Sequence, residues 1–137
     1  MPQLVYRSVP ENPDLTWLES RWKSTVQRSF TIYNVPEGTV RGGHRHQFCQ
    51  MALVCLAGSV DVYVQTPTEE FTYHLRSPEQ FLLLDPHDWR LMHTFSNDAV
   101  LLVLADRPYQ DTVYIDQAYR PVGQTASQET YVSLHAS

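Results

Sequence analysis

Two histidines, His44 and His46, are the residues of this sequence best suited to carry out chemistry. They stand two positions apart in a stretch that reads as a β-strand, and alternate side chains of a strand point to the same face. We therefore expect both imidazoles to project the same way. An unperturbed imidazole has a pKa of about 6.5, so either ring can accept or donate a proton near neutral pH. The spacing predicts a proton-transfer site.

The residues around the pair predict that it faces a sheltered cavity. Gly42 and Gly43 come directly before the histidines, where the chain must bend or approach a ligand closely. If the strand continues as far as Gly58, the histidine face also carries Phe48, Gln50, Ala52, Val54 and Leu56. This set is mostly apolar, as in the interior of a small β-barrel that holds a ligand.

Short alternating segments elsewhere in the chain supply the strands of such a barrel. About eight of them follow one another at intervals of roughly 8 to 12 residues, separated by Gly, Pro, Asn and Asp. The pattern predicts an all-β fold, either an antiparallel barrel or a sandwich. It divides the chain into an N-terminal segment (1–24), the barrel (25–108) and a C-terminal tail (109–137). Residues 14–20 fit a short helix or a strand equally well.

Composition excludes several classes of partner. The 137 residues carry a net charge of −5 without a Lys/Arg cluster, which argues against nucleic acid and anionic membranes. The sequence has neither an apolar run of about 18 residues nor the apolar core of a secretion signal, which predicts a cytoplasmic protein. Cys49 and Cys55 lie on one predicted strand, roughly 20 Å apart if extended, too far for a disulfide. We expect both thiols to be reduced.

The histidine motif is similar to that of cupin barrels, whose metal sites add a carboxylate and a later histidine to the pair. Here the carboxylate position is Gln50 and the later histidine position is Leu91, although His93 shares a face with Leu91. A glutamine carbonyl is a poor replacement for an anionic ligand. The sequence therefore predicts neither a metal nor another cofactor.

Several segments together resemble the WxcM-like cupins, which include nucleotide-sugar 3,4-ketoisomerases acting on dTDP-4-keto-6-deoxyglucose. These segments are residues 41–46, 54–59, 88–96, 103–106 and 109–115, together with Gln50. The resemblance implies a jelly-roll barrel and a homodimer that exchanges N-terminal strands. It also implies a metal-free isomerisation of a nucleotide-linked keto-deoxysugar.

The resemblance assigns His44 and His46 as the catalytic pair, with Arg41 and Arg90 as substrate-binding positions. Our hypothesis is that one histidine removes the C3 proton of the sugar while the other passes a proton between the sugar oxygens. Arg90 is then a candidate for the oxyanion or the diphosphate, and Arg41 for the diphosphate. Strict alternation places Arg90 on one face of its strand and Leu91 and His93 on the other, and only one face can point into the cavity. A bulge after residues 86–88 would allow Arg90 to face inward.

Tyr33 and Gln50 are further candidates for contact with substrate, and Tyr33, Phe48 or Trp89 for stacking on the nucleotide base. Two other functions remain open. Phe30 and Thr31 stand where the family often has tyrosines, which gives some weight to a second reading, a sugar-binding or regulatory cupin without turnover. A metal-dependent cupin enzyme, such as a dioxygenase or an epimerase, is the third reading.

Overall fold

A computed structural model of the chain describes residues 1–6, 15–109 and 113–122. These residues form one helix and ten strands, which agree closely with the predicted segments from residue 27 to residue 105. The elements in order are β1 (Gln3–Tyr6), α1 (Leu15–Trp22), β2 (Arg28–Tyr33), β3 (Arg41–His46), β4 (Met51–Ala57), β5 (Val60–Gln65), β6 (Glu70–Leu75), β7 (Gln80–Leu84), β8 (Trp89–His93), β9 (Val100–Ala105) and β10 (Tyr114–Ile115). The turn expected near residues 9–13 and the polar end after residue 122 lie outside the described residues.

Two five-stranded antiparallel sheets form the fold, in the orders β1-β7-β4-β9-β2 and β10-β3-β8-β5-β6. Side chains from both sheets meet between them in one apolar cluster. Its fully buried members include Cys55, Val60, Val62, Val64, Leu75, Leu82 and Leu101. Each strand contributes every second residue, because alternate side chains of a strand face the same side. The arrangement is that of a jelly-roll barrel, and it confirms the predicted all-β fold.

Helix α1 covers the outer face of the first sheet and settles the ambiguity of residues 14–20. Leu18 and Trp22 are buried against Ala52, Leu83 and Leu104. Their four-residue spacing places both on one helical face. Lys23 follows with a φ of 60° and ends the helix.

The C-terminal segment 113–122 covers the outer face of the second sheet, as expected for a tail that packs on the barrel. Trp89 and Leu91 are buried beneath it. The indole Nε1 of Trp89 donates a hydrogen bond of 2.9 Å to the carbonyl of Asp116. The side-chain oxygen of Gln65 accepts hydrogen bonds from the backbone N–H groups of Tyr119 and Arg120. Strand β10 of this segment pairs with β3.

The prediction of one continuous strand from residue 41 to residue 58 is wrong. β3 ends at His46, residues 47–50 turn a corner, and β4 begins in the other sheet. The crossing changes which residues face inward. Met51, Leu53 and Cys55 belong to the apolar cluster, whereas Ala52 lies under α1 and Leu56 is exposed. The apolar sequence runs on through the corner, so its periodicity could not reveal the break.

The same corner separates the two cysteines, so their predicted placement on one strand is also wrong. Cys49 lies in the turn and Cys55 lies in β4. Both thiols are buried and free, in agreement with the expected absence of a disulfide. At the other end of the chain, β1 pairs with β7 of the same molecule. Exchange of this strand between subunits stays a prediction.

Candidate active site

A β-bulge in β3 sets the direction of the histidines. Gly42 lies opposite Leu91 and His44 lies opposite Arg90, so Gly43 is an extra residue in the ladder. Gly42 and Gly43 have φ values of 92° and 76°, which glycine adopts without steric cost. A Cβ on Gly42 would lie 2.9 Å from the carbonyl oxygen of Arg90. The two glycines thus let β3 approach β8 closely and place His44 and Arg90 on the same, inner face.

His44 and His46 are buried inside the barrel, with exposed fractions of 1% and 0%. Their rings meet edge to face, with centroids 4.9 Å apart and an interplanar angle of 85°. A small cavity beside them is lined by His44, Met51, Leu53, Arg90, Met92 and Val103. Water is largely excluded here, which strengthens electrostatic interactions with any bound group.

Arg90 extends from β8 into the same interior and is 2% exposed. Its Nε donates a 2.8 Å hydrogen bond to the carbonyl of Asp88, and its Nη1 lies 3.4 Å from the sulfur of Met51. Its Nη2 is buried and has no hydrogen-bond partner among the described residues. Burial lowers the pKa of Arg90 to about 10, so the group is still a cation at neutral pH. The prediction of a bulge after residues 86–88 is wrong, because β8 pairs with β5 without a register shift. Arg90 and Met92 face inward by simple alternation, whereas Leu91 faces outward, and the bulge of the β3–β8 pair lies in β3.

Tyr114, in β10, contacts both histidines and was not among the predicted site residues. It lies opposite His46 in the β10–β3 pair. Its ring centroid is 4.9 Å from that of His44 and 4.9 Å from that of His46. Burial raises the pKa of Tyr114, and the nearby guanidinium of Arg28 acts against that rise. From sequence alone, the tyrosines of the tail are most simply interpreted as core or subunit contacts. The one signal for a role of Tyr114 in the site was that residues 109–115 resemble the C-terminal end of the WxcM-like cupins.

Arg28, at the start of β2, is the second residue that sequence reasoning missed. Its guanidinium lies 5.0 Å from the ring centroid of Phe30 and 5.3 Å from that of Tyr109. All three of its nitrogens are buried, and its guanidinium is close enough to the Tyr114 hydroxyl to oppose the rise in the pKa of that group through hydrogen bonding and charge. An arginine at a strand start carries no motif, and Tyr109 is far away in sequence. We call Arg28, His44, His46, Arg90 and Tyr114 the polar cluster.

The carboxylates nearest to the polar cluster are engaged with other groups. Asp106 accepts hydrogen bonds from the backbone N–H and side-chain amide of Gln50 and from the hydroxyl of Ser24. Asp88 accepts one from the backbone N–H of Asp85. Burial, followed by the charge of Asp106, raises the pKa of the Cys49 thiol and favours its neutral form. The cluster therefore combines two arginines with no carboxylate among its members, an arrangement that attracts an anionic ligand.

Three of the predicted substrate-binding residues do not join the polar cluster. Arg41 lies at the other end of β3, opposite Met92. Gln50 is held by Asp106 in the corner and lines a different, outer pocket between β1 and α1. Tyr33 points outward from β2 and is 57% exposed, because Phe30 and Ile32 occupy the inner face. The alternation of residues in β2 already predicted that Tyr33 faces away from Phe30 and Ile32.

The residues proposed to stack on a base also lie elsewhere. Phe48 is 53% exposed in the corner, and Trp89 is buried under the C-terminal segment. His93, the one alternative metal ligand, lies 2.8 Å from the Thr94 hydroxyl through its Nδ1. Within residues 1–6, 15–109 and 113–122, no group of three His, Cys, Asp or Glu side chains is placed to hold a metal ion. Across the same ranges, no helix has the length and apolar character needed to cross a membrane.

Comparisons with known proteins agree with this architecture. The TDP-4-oxo-6-deoxy-α-D-glucose-3,4-oxoisomerase of Aneurinibacillus thermoaerophilus is 36% identical over 93 residues, which cover 68% of this chain and 67% of that protein. The crystal structure of the sugar 3,4-ketoisomerase QdtA from Thermoanaerobacterium thermosaccharolyticum, in complex with TDP, superimposes with a TM-score of 0.74. It is 29% identical, and the match covers 85% of this chain and 88% of QdtA.

A second solved structure is similar over a smaller part of the chain. The TDP-quinovose 3,4-ketoisomerase WlaRB of Campylobacter jejuni is 29% identical, with a TM-score of 0.65, and the match covers 69% of this chain and 72% of WlaRB. The model of the WxcM-like, C-terminal family matches residues 7–121. This match spans most of the sequence and includes every residue of the polar cluster. The chain belongs to the WxcM-like, C-terminal family.

Proposed function

We propose that this protein is a 3,4-ketoisomerase of TDP-linked sugars. It would move the keto group of a TDP-4-keto-6-deoxyhexose, such as TDP-4-keto-6-deoxyglucose, from C4 to C3. The curated relative and the two similar solved structures carry this activity in their names. The observation that carries the proposal is the buried pair of His44 and His46 beside Arg90.

Moving the keto group requires the transfer of a carbon-bound proton. The C4 carbonyl acidifies the proton on C3, and its removal gives an enediol or enediolate. Return of a proton to C4 then leaves the carbonyl at C3. We assign the carbon proton to one of the two histidines, because an imidazole can accept and donate it near neutral pH. Positioned proton transfer of this kind contributes about 10²- to 10⁴-fold to the rate.

Arg90 is suited to stabilise the oxygen that becomes negative in this reaction. It is a buried cation with an unused N–H donor group, and it lies opposite His44 across the β3–β8 pair. A donor held in a dry site stabilises a developing oxyanion more strongly than water does. The assigned groups act through proton transfer and hydrogen bonding.

The test is to follow exchange of the C3 proton of TDP-4-keto-6-deoxyglucose in D₂O by NMR, together with formation of the 3-keto product. We expect the wild-type protein to show both. His44→Ala and His46→Ala should each lose at least about 100-fold in product formation while staying folded. His74→Ala is the control, since His74 is exposed and paired with Asp61. Tight TDP-sugar binding by the wild type without exchange would favour a non-catalytic binding protein.

The setting of the enzyme is also part of the proposal. The free thiols of Cys49 and Cys55 fit a reducing compartment, so we place the protein in the cytoplasm. We also propose a homodimer, on the family resemblance. Sedimentation analysis at micromolar concentration should give about twice the chain mass of 15.9 kDa, and a mass equal to one chain would contradict the dimer.

A further inference from the structure

The reaction proposed above transfers protons at carbon and protons at oxygen, and the histidines account most directly for the transfer at carbon. A proton leaves C3 and a proton arrives at C4. In addition, the oxygen on C4 must gain a proton and the oxygen on C3 must lose one. The second exchange needs an acid that becomes a base, placed at the sugar oxygens. The sequence suggested the second histidine for this role, and the structure offers a different group.

Tyr114 lies beside both histidines and near the more exposed Tyr109. Exposure falls from Tyr109, which is 53% exposed, to the half-buried Tyr114 and then to the buried histidines. The Tyr109 and Tyr114 rings are 6.2 Å apart, and Tyr114 lies 4.9 Å from each histidine ring. A sugar bound at the histidines would therefore have the Tyr114 phenol close to it.

Arg28 lies beside both tyrosines. Its guanidinium packs on the Tyr109 ring at 5.3 Å, and it opposes the rise in the pKa of Tyr114 through hydrogen bonding and charge. The three nitrogens of Arg28 are buried, and a guanidinium has five N–H donors in a fixed fork. Such a group can bind the Tyr114 hydroxyl and a sugar oxygen at the same time.

We propose that Tyr114 and Arg28 form a catalytic pair that transfers the proton between the two sugar oxygens, an inference that rests on the proposed ketoisomerase function. In the first step a histidine takes the proton from C3. The electrons of that C–H bond form the C3=C4 double bond, and O4 takes the proton of the Tyr114 hydroxyl. The products are an enediol, a histidinium and a Tyr114 phenolate beside the Arg28 cation.

In the second step the phenolate takes the proton from O3 and the C3 carbonyl forms. The electrons of the C3=C4 double bond then take a proton at C4 from the histidinium. Tyrosine and histidine return to their starting states, and the keto group has moved without any other reactant. Arg28 stabilises the phenolate and the oxyanion by charge and by hydrogen bonding. The second histidine is left to orient the sugar.

The deciding measurement compares two rates in the same D₂O experiment: C3 proton exchange in the substrate and formation of the 3-keto product. Exchange can pass through the enediolate, because the charge of Arg90 stabilises O4 even when Tyr114 supplies no proton. Product formation needs the oxygen proton transfer as well. For Tyr114→Phe we expect product formation to fall about 100-fold and exchange to fall at least tenfold less, so the ratio of exchange to product rises. Tyr73→Phe, which also removes a partly buried hydroxyl, should leave the ratio unchanged.

Arg28 is tested by restoring its charge. Arg28→Ala should lose about 100-fold in product formation, and added guanidinium ion should recover at least tenfold of that loss, whereas Arg28→Lys should retain more activity than Arg28→Gln. Arg76→Ala removes an exposed arginine and serves as the control. Its product formation should stay at the wild-type rate, and added guanidinium ion should not change it. Thermal unfolding of each variant separates these effects from a loss of folded protein.

Each alternative result has a definite meaning. Equal losses of exchange and product in Tyr114→Phe, or activity within twofold of wild type, would overturn the assignment. A raised ratio of exchange to product in His44→Ala or His46→Ala, with an unchanged ratio in Tyr114→Phe, would assign the oxygen proton transfer to a histidine and also overturn the proposal. A wild-type protein that neither exchanges nor isomerises any TDP-linked ketosugar would instead refute the proposed function, and this inference with it.

Discussion

The interior of the barrel has two parts that follow opposite rules. In the apolar cluster, side chains such as Val62, Leu75 and Leu82 are completely buried against one another, and no polar atom needs a partner. In the polar cluster, the guanidinium nitrogens of Arg28 and Arg90 are buried, none of the described carboxylates forms an ion pair with either group, and Nη2 of Arg90 has no hydrogen-bond partner among the described residues. Burying such groups costs free energy, so they destabilise the fold. The comparison indicates that the apolar cluster stabilises the fold and that the polar cluster destabilises it, a division expected at functional sites.

Replacing Arg90 by methionine should give the largest effect and separate the two parts. The Arg90→Met variant loses the cation, so we expect product formation to fall about 10²- to 10³-fold. Its free energy of unfolding should stay the same or rise, because an apolar side chain of similar length suits the surrounding Met51, Leu53 and Val103. Steady-state kinetics and urea unfolding check both halves. A loss of stability above about 1 kcal/mol would show that Arg90 holds the barrel together.

The reverse pattern is expected in the apolar cluster. Leu82→Ala removes a side chain that is 0% exposed, and should lower the free energy of unfolding by about 2–5 kcal/mol. The activity of the protein that remains folded should be unchanged, since Leu82 does not line the cavity beside the histidines. Leu56→Ala serves as the control, because Leu56 is 45% exposed and should change stability by less than about 0.5 kcal/mol. An activity loss in folded Leu82→Ala would contradict the separation.

The apolar cluster was the part of the molecule that the sequence predicted well. Alternating residues in β5 and β6 predicted these strands and their inner faces almost to the residue, and β9 was predicted as a strand. That His44 and His46 share one face could be predicted for the same reason. Period-two alternation is local information, and a strand that faces an apolar core keeps it without interruption.

The polar cluster depends on features that alternation does not record. The corner at residues 47–50 moves the chain to the other sheet, so Gln50 leaves the histidine face. The bulge at Gly43 resets which residues oppose Arg90. Arg28 and Tyr114 meet the histidines only through pairings between strands far apart in sequence. A single sequence can indicate such residues only by resemblance, and the resemblance of residues 109–115 marked the segment of Tyr114 without assigning that residue to the site.

Two glycines with similar backbones test the bulge. Gly38 and Gly42 have φ values of 82° and 92°, but only at Gly42 would a Cβ meet another atom, the Arg90 carbonyl oxygen at 2.9 Å. Gly38→Ala should cost about 1–2 kcal/mol of stability from backbone strain alone. Gly42→Ala should cost more and should also lower activity, because β3 must move away from β8. Equal costs, with normal activity in Gly42→Ala, would mean that the close approach is not needed to place His44.

The smallest effect is expected where the C-terminal segment is tied to β3. Arg45 lies in β3 between the two histidines but points outward, and pairs with Ile115, the neighbour of Tyr114. Its guanidinium packs over the Tyr119 ring at 4.4 Å and its Nη1 donates a 3.1 Å hydrogen bond to the Tyr119 hydroxyl. A cation–π contact at a partly exposed site contributes about 0.5–1 kcal/mol. Arg45 thus stabilises the segment that carries one member of the polar cluster.

Removing this contact should loosen Tyr114 without touching the apolar cluster. In Arg45→Ala we expect faster amide hydrogen exchange at Tyr114 and Ile115, and a loss of about two- to fivefold in kcat/KM, which corresponds to the free energy of the contact. Arg120→Ala is the matched control. Arg120 lies in the same C-terminal segment but farther along the chain from Tyr114, and its guanidinium donates a hydrogen bond to Glu70 of β6. Amide exchange in β5 should be unchanged in both variants. If Arg45→Ala speeds exchange in β5 as much as at Tyr114, the two parts of the barrel unfold together, and the polar cluster is not the separately supported region that the comparison describes.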